Sequence, residues 1–299
     1  MLAAAGTPER ALTFAVGPVG LRLRIAGEAL AERLAPALEP LETARPHDVD
    51  IVAFEGELPS PPWDATAPGE HYAAAGGVQV LHGPDTLLLL DGNRGAFWAR
   101  DAEALPRWET AAPLRTLLRW ALREHGLHLV HGAAVVGARG AALLAGRSGA
   151  GKSTTALAAA EAGLGYVGDD YCAVELSDPP RVHALYAVGK VDAAGLRRVP
   201  GLRVLPGGPT PDGKELVMPR GLMRSAPLVS IVLPRVGPGA QLAPATSAEA
   251  LSALATSILL LPRSTQADLD ALGALVRALP AYRLQLGDDP AGMLAEHLG

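Results

Sequence analysis

The stretch Gly146-Arg147-Ser148-Gly149-Ala150-Gly151-Lys152-Ser153 decides the reading of this chain. It matches G-x-x-x-x-G-K-[ST], the Walker A phosphate loop, at every fixed position. Gly146, Gly149 and Gly151 let the backbone turn tightly and point its N–H groups inward. Those groups, with the N-terminus of the helix that follows, make an anion site. Lys152 brings a point charge to the β- and γ-phosphates, and the Ser153 hydroxyl is placed to ligate Mg²⁺. The expected nucleotide-binding set is Gly146, Arg147, Ser148, Gly149, Ala150, Gly151, Lys152, Ser153 and Thr154, with a nucleoside triphosphate and Mg²⁺ as the expected ligands. A dinucleotide fingerprint is excluded, because its third glycine would fall on Thr154.

The flanks carry the context that such a loop needs. Ala141–Ala145 is apolar and reads as a strand feeding the loop. Ser153–Ala162 is built of good helix formers and is stopped by Gly163. Gly165–Gly168 is a short strand running into Asp169-Asp170, 17 and 18 residues beyond Lys152. That spacing leaves room for one helix and one strand, so the acid pair ends the strand next after the loop helix. Strand ends in such sheets face the ligand crevice. Two carboxylates there can divide the work: one can hold Mg²⁺ and the other can accept a proton from an attacking hydroxyl. The bland alternative is a surface turn with capping aspartates. Upstream, Leu127–Val136 reads as one apolar strand containing His131-Gly132, 21 residues before Lys152. His131 could bind phosphate when protonated, orient a carboxylate, or be purely structural.

Composition narrows the class. The 299 residues are 49% hydrophobic, with 26 Lys and Arg against 31 Asp and Glu, a formal charge of −5. Mixed charges of that sign give no footprint for nucleic acid. The single cysteine, Cys172, can form neither an internal disulfide nor a metal cluster. The start of the chain lacks a basic stretch followed by an apolar one, and Leu251 to Leu261 is too short to span a bilayer. These features lead to the expectation of a cytoplasmic protein without a membrane partner.

Before residue 109 the pattern is different. Leu12–Val16 and Leu21–Ile25 read as a hairpin, Gly27 to Leu38 as a helix and Val49–Phe54 as a strand. Val78–Leu81, Thr86–Leu90 and Ala96–Ala99 read as a meander with turns at Gly83-Pro84-Asp85 and Asp91-Gly92-Asn93. Residues 55–70 read as a loop. The expected organisation is an α/β protein in which an N-terminal α+β domain, 1–108, precedes a catalytic domain, 109–299. The latter opens on a helix at 110–124. Beyond the acid pair, strands are expected at 183–188, 228–233 and 281–286. Helices are expected at 247–261, 265–278 and 289–298, with a mobile loop at 200–215.

His131-Gly132, the Gly146–Ser153 loop and Gly168-Asp169-Asp170 together resemble the HPr kinase/phosphorylase superfamily, which carries an HG strand, a G-x-S-G-x-G-K-S loop and an acid pair in this order and at similar spacing. The resemblance covers roughly 127–176. It implies a compact P-loop kinase core of the HPr kinase/PEP carboxykinase type that transfers the γ-phosphoryl of ATP to a serine. It also implies Asp170 as base, Asp169 and Ser153 at the metal, Lys152 on the phosphates and His131 assisting. The E-I-R-G-x-G signature of the HPr-specific enzymes is absent; the chain instead reads Leu185-Tyr186-Ala187-Val188-Gly189-Lys190. It is in this respect similar to divergent HPr-kinase-like proteins, some associated with clusters making modified peptides such as lasso peptides. The expected partner is therefore a peptide or protein with an acceptor serine, and a homo-oligomer is possible by the same resemblance. A small-molecule hydroxyl kinase and a non-catalytic nucleotide-binding regulator remain as alternatives. Lys190, Arg235 and Arg263 are further candidate phosphate contacts, each also readable as a solvated cation.

Overall fold

The computed structural model describes residues 8–57, 71–259, 264–287 and 289–299. The chain is mixed α/β and divides into two compact units, Met1–His125 and Gly126–Gly299. Among the described residues no helix is long and apolar enough to cross a membrane.

In the first unit, β1 (Arg10–Val16) and β2 (Val19–Ala26) form the expected hairpin, with Val16 opposite Val19. After α1 (Glu28–Leu34), β3 (Val49–Glu55) lies parallel to β2. β4 (His71–Ala75), β5 (Val78–His82), β6 (Thr86–Asp91) and β7 (Arg94–Ala99) complete a sheet of order β1-β2-β3-β7-β6-β5-β4. Two helices follow, α2 (Trp108–Ala111) and α3 (Arg115–Arg123). The division between units falls after His125 rather than at 108/109, because the apolar face of α3, which includes the fully buried Trp120, packs on β6 and β7. The Gly95 Cα lies so close to α3 that an added Cβ would sit 3.3 Å from Leu117 Cδ2.

The second unit opens with β8 (Leu127–Val130), β9 (Gly132–Gly137), β10 (Gly140–Ala145), α4 (Lys152–Glu161), β11 (Gly165–Gly168), β12 (Cys172–Glu175) and β13 (Arg181–Ala184). β14 (Gly189–Val191), α5 (Ala193–Arg198), β15 (Arg203–Val204) and β16 (Glu215–Met218) follow. β17 (Ser225–Val236), β18 (Gln241–Ala245), α6 (Ser247–Leu259), α7 (Gln266–Ala278), β19 (Ala281–Leu286) and α8 (Pro290–Leu298) close the chain. The main sheet runs β11-β9-β10-β17-β13-β12-β8, with β19 beside β17 and β18 on β19. β10 is parallel to β17, and β17 to β19. All six residues of β10 are buried, which is why it reads as an unbroken apolar run. The core beneath α4 joins Leu157 and Ala160 to Ala133, Val135, Leu144, Tyr166 and Leu294.

The single strand expected over Leu127–Val136 is two strands. Val130 pairs with Cys172 of β12, whereas Gly132 pairs with Ala145 of β10. The chain changes partners at His131, and Gly132 permits it: a Cβ there would stand 2.8 Å from the Leu144 carbonyl oxygen. The same change happens between β11 and β12, at Asp169–Tyr171. Both breaks lie at one level of the sheet, joined where the Gly132 N–H donates to the Asp170 carbonyl at 3.2 Å. The expected mobile loop at 200–215 contains β15 and a closed turn, described below.

Candidate active site

The Gly146–Gly151 loop leaves the buried end of β10 and enters α4. Gly146, Gly149 and Gly151 adopt φ of 151°, 78° and 95°, a backbone region that residues with a Cβ rarely enter. Gly151 is also hemmed in by Leu286, whose Cδ1 a methyl group there would overlap. Gly151 caps α4, so the free N–H groups of the first helical turn face outward from the loop. Lys152 is buried and curls back over the loop: its ammonium donates to the Gly146 carbonyl at 2.7 Å and the Arg147 carbonyl at 3.2 Å. Burial pushes the Lys152 pKa down and Lys214 pushes it the same way, while Asp169 and Asp170 oppose both. Arg147, Ser148 and Gly149 are exposed at the crest of the loop, with Ala150 half-buried beneath.

Two strand breaks deliver the acids and the histidine. Asp169 is buried at the end of β11, and its Oδ2 accepts the Lys190 N–H at 3.2 Å. Asp170 has φ of 66°, and the Tyr171 N–H donates to the Asp169 carbonyl at 2.7 Å, so Asp170 is the middle of a three-residue γ-turn. That conformation is strained, and aspartate is among the few residues that tolerate it. The Asp170 carboxylate is paired with a lysine on one side and neighboured by the imidazole on the other. Lys190 Nζ lies 2.5 Å from Oδ2, and His131 Nδ1 lies 3.5 Å from Oδ1. The His131 ring leans edge-on against Tyr171, with centroids 5.3 Å apart. Burial pushes the His131 pKa down to about 4, with Lys152 adding to the fall and Asp170 resisting it. That burial favours the uncharged imidazole at neutral pH.

A cleft of about 590 Å³ adjoins the loop, lined by His131, Lys152, Ser153, Thr154, Lys190 and Lys214 among others. That size accommodates a nucleotide. Sequence reasoning passed over Lys214, as well as Arg198 and Asp289 on the same cleft; none sits in a motif that would have signalled it. Arg235 lies elsewhere, at the end of β17. It lines a second hollow of about 1040 Å³ on another flank of the loop, and its guanidinium is engaged by Glu249 at 3.3 Å. Arg263 lies outside the described residues.

The residues present fit a magnesium ion. Asp169 Oδ1 is buried and has no hydrogen-bond partner among the described residues. Burial and the neighbouring Asp170 raise the Asp169 pKa, while the Ser153 hydroxyl and the Lys190 N–H pull it down. A buried carboxylate with a spare oxygen beside a serine hydroxyl suits a cation that takes its remaining ligands from phosphate and water. No group of three or more His, Cys, Asp or Glu side chains among the described residues could hold a metal by itself.

No family model matches the chain, and no curated protein matches it. Among solved structures it is similar to the Hpr(Ser) kinase/phosphatase from Coxiella burnetii. The identity is 12% and the TM-score 0.28, over 57% of this chain and 93% of that one. At that score the functional reading rests on the site's own geometry.

Proposed function

We propose that this chain is an ATP-dependent kinase that passes the γ-phosphoryl group to a serine hydroxyl of a peptide or protein, with the Gly126–Gly299 unit serving as a catalytic body of the HPr kinase type. One observation carries the reading. The strand next after the loop helix ends in Asp169 and Asp170, the first facing Ser153 with a spare oxygen, the second held by Lys190 and His131, whose side chains line the cleft above Lys152. A nucleotide switch needs the loop but has no use for a second carboxylate held in a strained turn.

The loop amides and the α4 N-terminus bind the phosphates, and Lys152 leaves the Gly146 and Arg147 carbonyls to meet them. Ser153 and Asp169 would hold Mg²⁺, which would supply neutralising charge to the phosphates. The serine Oγ attacks the γ-phosphorus in line as the bond to the β–γ bridging oxygen breaks, and the leaving group is ADP. Asp170 accepts the serine proton. His131, neutral, acts through Asp170 by fixing its orientation. Lys190 holds the carboxylate in place until the hydroxyl arrives.

The test is to incubate the purified chain with Mg²⁺-ATP and serine-bearing peptides encoded near its gene, HPr, or free serine, and to follow phosphate addition by mass spectrometry. Addition to a serine peptide or protein, abolished in Asp170→Asn, is the expected result. Addition to free serine alone would reassign the chain to small-molecule chemistry. Tight ATP binding with transfer to no acceptor would favour the nucleotide switch.

A further inference from the structure

The hairpin between β15 and β16 carries Lys214 on a closed turn beside the cleft. Thr210 is buried, and it closes a tight turn over Thr210–Lys214. Its N–H donates to the Lys214 carbonyl at 2.7 Å, its carbonyl accepts from the Gly213 N–H at 2.8 Å, and its hydroxyl accepts from the Lys214 N–H at 3.1 Å. The Thr210 hydroxyl also lies 2.6 Å from Asp212 Oδ1. The backbone of Lys214 is thus fixed, and its side chain reaches the nucleotide cleft.

Two lysines besides Lys152 line that cleft, and they are held differently. The Lys190–Asp170 pair is mostly buried, with side chains 13% and 20% exposed. The Lys214–Asp212 pair, at 2.9 Å, is 34% and 53% exposed. Exposed pairs of this kind cost little to open, whereas separating a buried pair strands a charge in poor solvent. Asp212 keeps a second partner when the lysine leaves, because the Thr210 hydroxyl donates to its Oδ1 at 2.6 Å. Burial works against the charge on Lys214, yet Asp212, Asp170 and Asp169 together hold its pKa above the ordinary lysine value, so it is a cation at neutral pH. Its field already reaches Lys152.

We infer that Lys214 is a second phosphate-binding cation that exchanges Asp212 for the γ-phosphate, the turn at Thr210–Lys214 acting as its fixed mount. This rests on the kinase reading and extends it. Lys152 and the loop bind the phosphates common to ATP and ADP, while Lys214 distinguishes the triphosphate. As the terminal phosphoryl moves to the acceptor, Lys214 stabilises charge on its equatorial oxygens, and on product release it returns to Asp212.

The experiment is calorimetric titration of the full-length protein with Mg²⁺ and either ADP or the β,γ-imido analogue of ATP. Lys214→Gln is expected to weaken the triphosphate analogue roughly ten- to hundredfold, the range of a lost charge-assisted contact, while ADP binding stays within about twofold. Lys214→Arg should restore most of the discrimination, and Asp212→Asn should leave it intact or increase it. Equal affinity of Lys214→Gln and the parent chain for the analogue would overturn the inference, as would a parallel loss of ADP, which would mark Lys214 as a structural or nucleoside contact. A parent chain that binds neither nucleotide would bring down the kinase reading itself, an outcome distinct from either of these.

Discussion

Asp170→Asn keeps the side-chain shape and a residue type that tolerates left-handed backbone, so the substitution removes charge and little else. Lys190 Nζ is 2.5 Å from the lost charge, and both side chains are mostly buried. At an effective dielectric constant of about 20, two unit charges at that separation attract by about 7 kcal/mol. Desolvation of both ions returns most of this. Removing one partner from a fully buried pair costs about 3–5 kcal/mol, and the residual exposure here reduces that to about 2–3 kcal/mol. For a unit the size of Gly126–Gly299 the melting temperature should fall by about 5–10 °C. Lys190→Met should cost a similar amount by stranding the carboxylate. The double variant strands neither charge, so it should recover roughly 1–3 kcal/mol relative to the sum of the single losses. Differential scanning calorimetry at neutral pH measures all three. Turnover behaves differently: Asp170→Asn should lose about 10²–10⁴-fold in phosphoryl transfer, and the double variant should stay equally inactive, because stability returns without a base. Single losses that add to within about 0.5 kcal/mol would refute the pairing. Transfer by Asp170→Asn within about threefold of the parent would refute Asp170 as the base.

The buried Asp169 sets function against stability. Its folded pKa is raised, so the folded state pays for the ionised carboxylate above that value and pays nothing below the ordinary carboxyl pKa of 3.8. Asp169→Asn should therefore melt higher than the parent at neutral pH and converge with it in acid, while the gain in ATP affinity that Mg²⁺ confers on the parent disappears, as titrations with and without chelator would show. His131 has the opposite sign. Its folded pKa of about 4 lies below the ordinary 6.5, so the stability it contributes is full above pH 6.5 and is lost as pH falls towards 4. His131→Gln should flatten that limb of the melting-temperature profile. Gly151→Ala combines a φ of 95° with overlap on Leu286, and should cost about 2–4 kcal/mol in denaturant unfolding and weaken nucleotide binding with it.

What the sequence revealed and what it hid divide along physical lines. The hairpin of β1 and β2, β10, α4, β11 and the placement of Asp169-Asp170 at a strand end were legible because each is written locally, in turn residues, glycine stops and motif spacing. The break at His131 was not. Leu127–Val136 is mostly apolar, His128 and His131 apart, because both of its halves are largely buried, and such a run does not reveal where a strand changes neighbours. β18 was missed because it carries Pro244, which is compatible only with an edge position that tertiary pairing creates. α5 was hidden by Gly195 in its middle, although Asp192, whose side chain accepts the Gly195 N–H, is a capping signal that could have been read. Lys214 could not be found at all: proline and glycine around it signal a turn, but only the fold brings that turn to the cleft beside the Gly146–Ser153 loop.

The long strand β17 is hydrogen-bonded through Ser225–Pro227 to β13 and from Leu228 onward to β10. It runs unbroken past the level at which β8 gives way to β9 and β11 to β12. The sheet is thus two panels sharing one spine, and the seam between them is crossed by His131 and Asp170. Flexing the spine at the seam would leave the ladder hydrogen bonds within each panel intact but would shift the histidine relative to the neighbouring carboxylate. Substitutions on β8, β12 or β13 could therefore tune the reaction rate without touching a phosphate, giving natural selection a control that is mechanically coupled to the chemistry and chemically insulated from it.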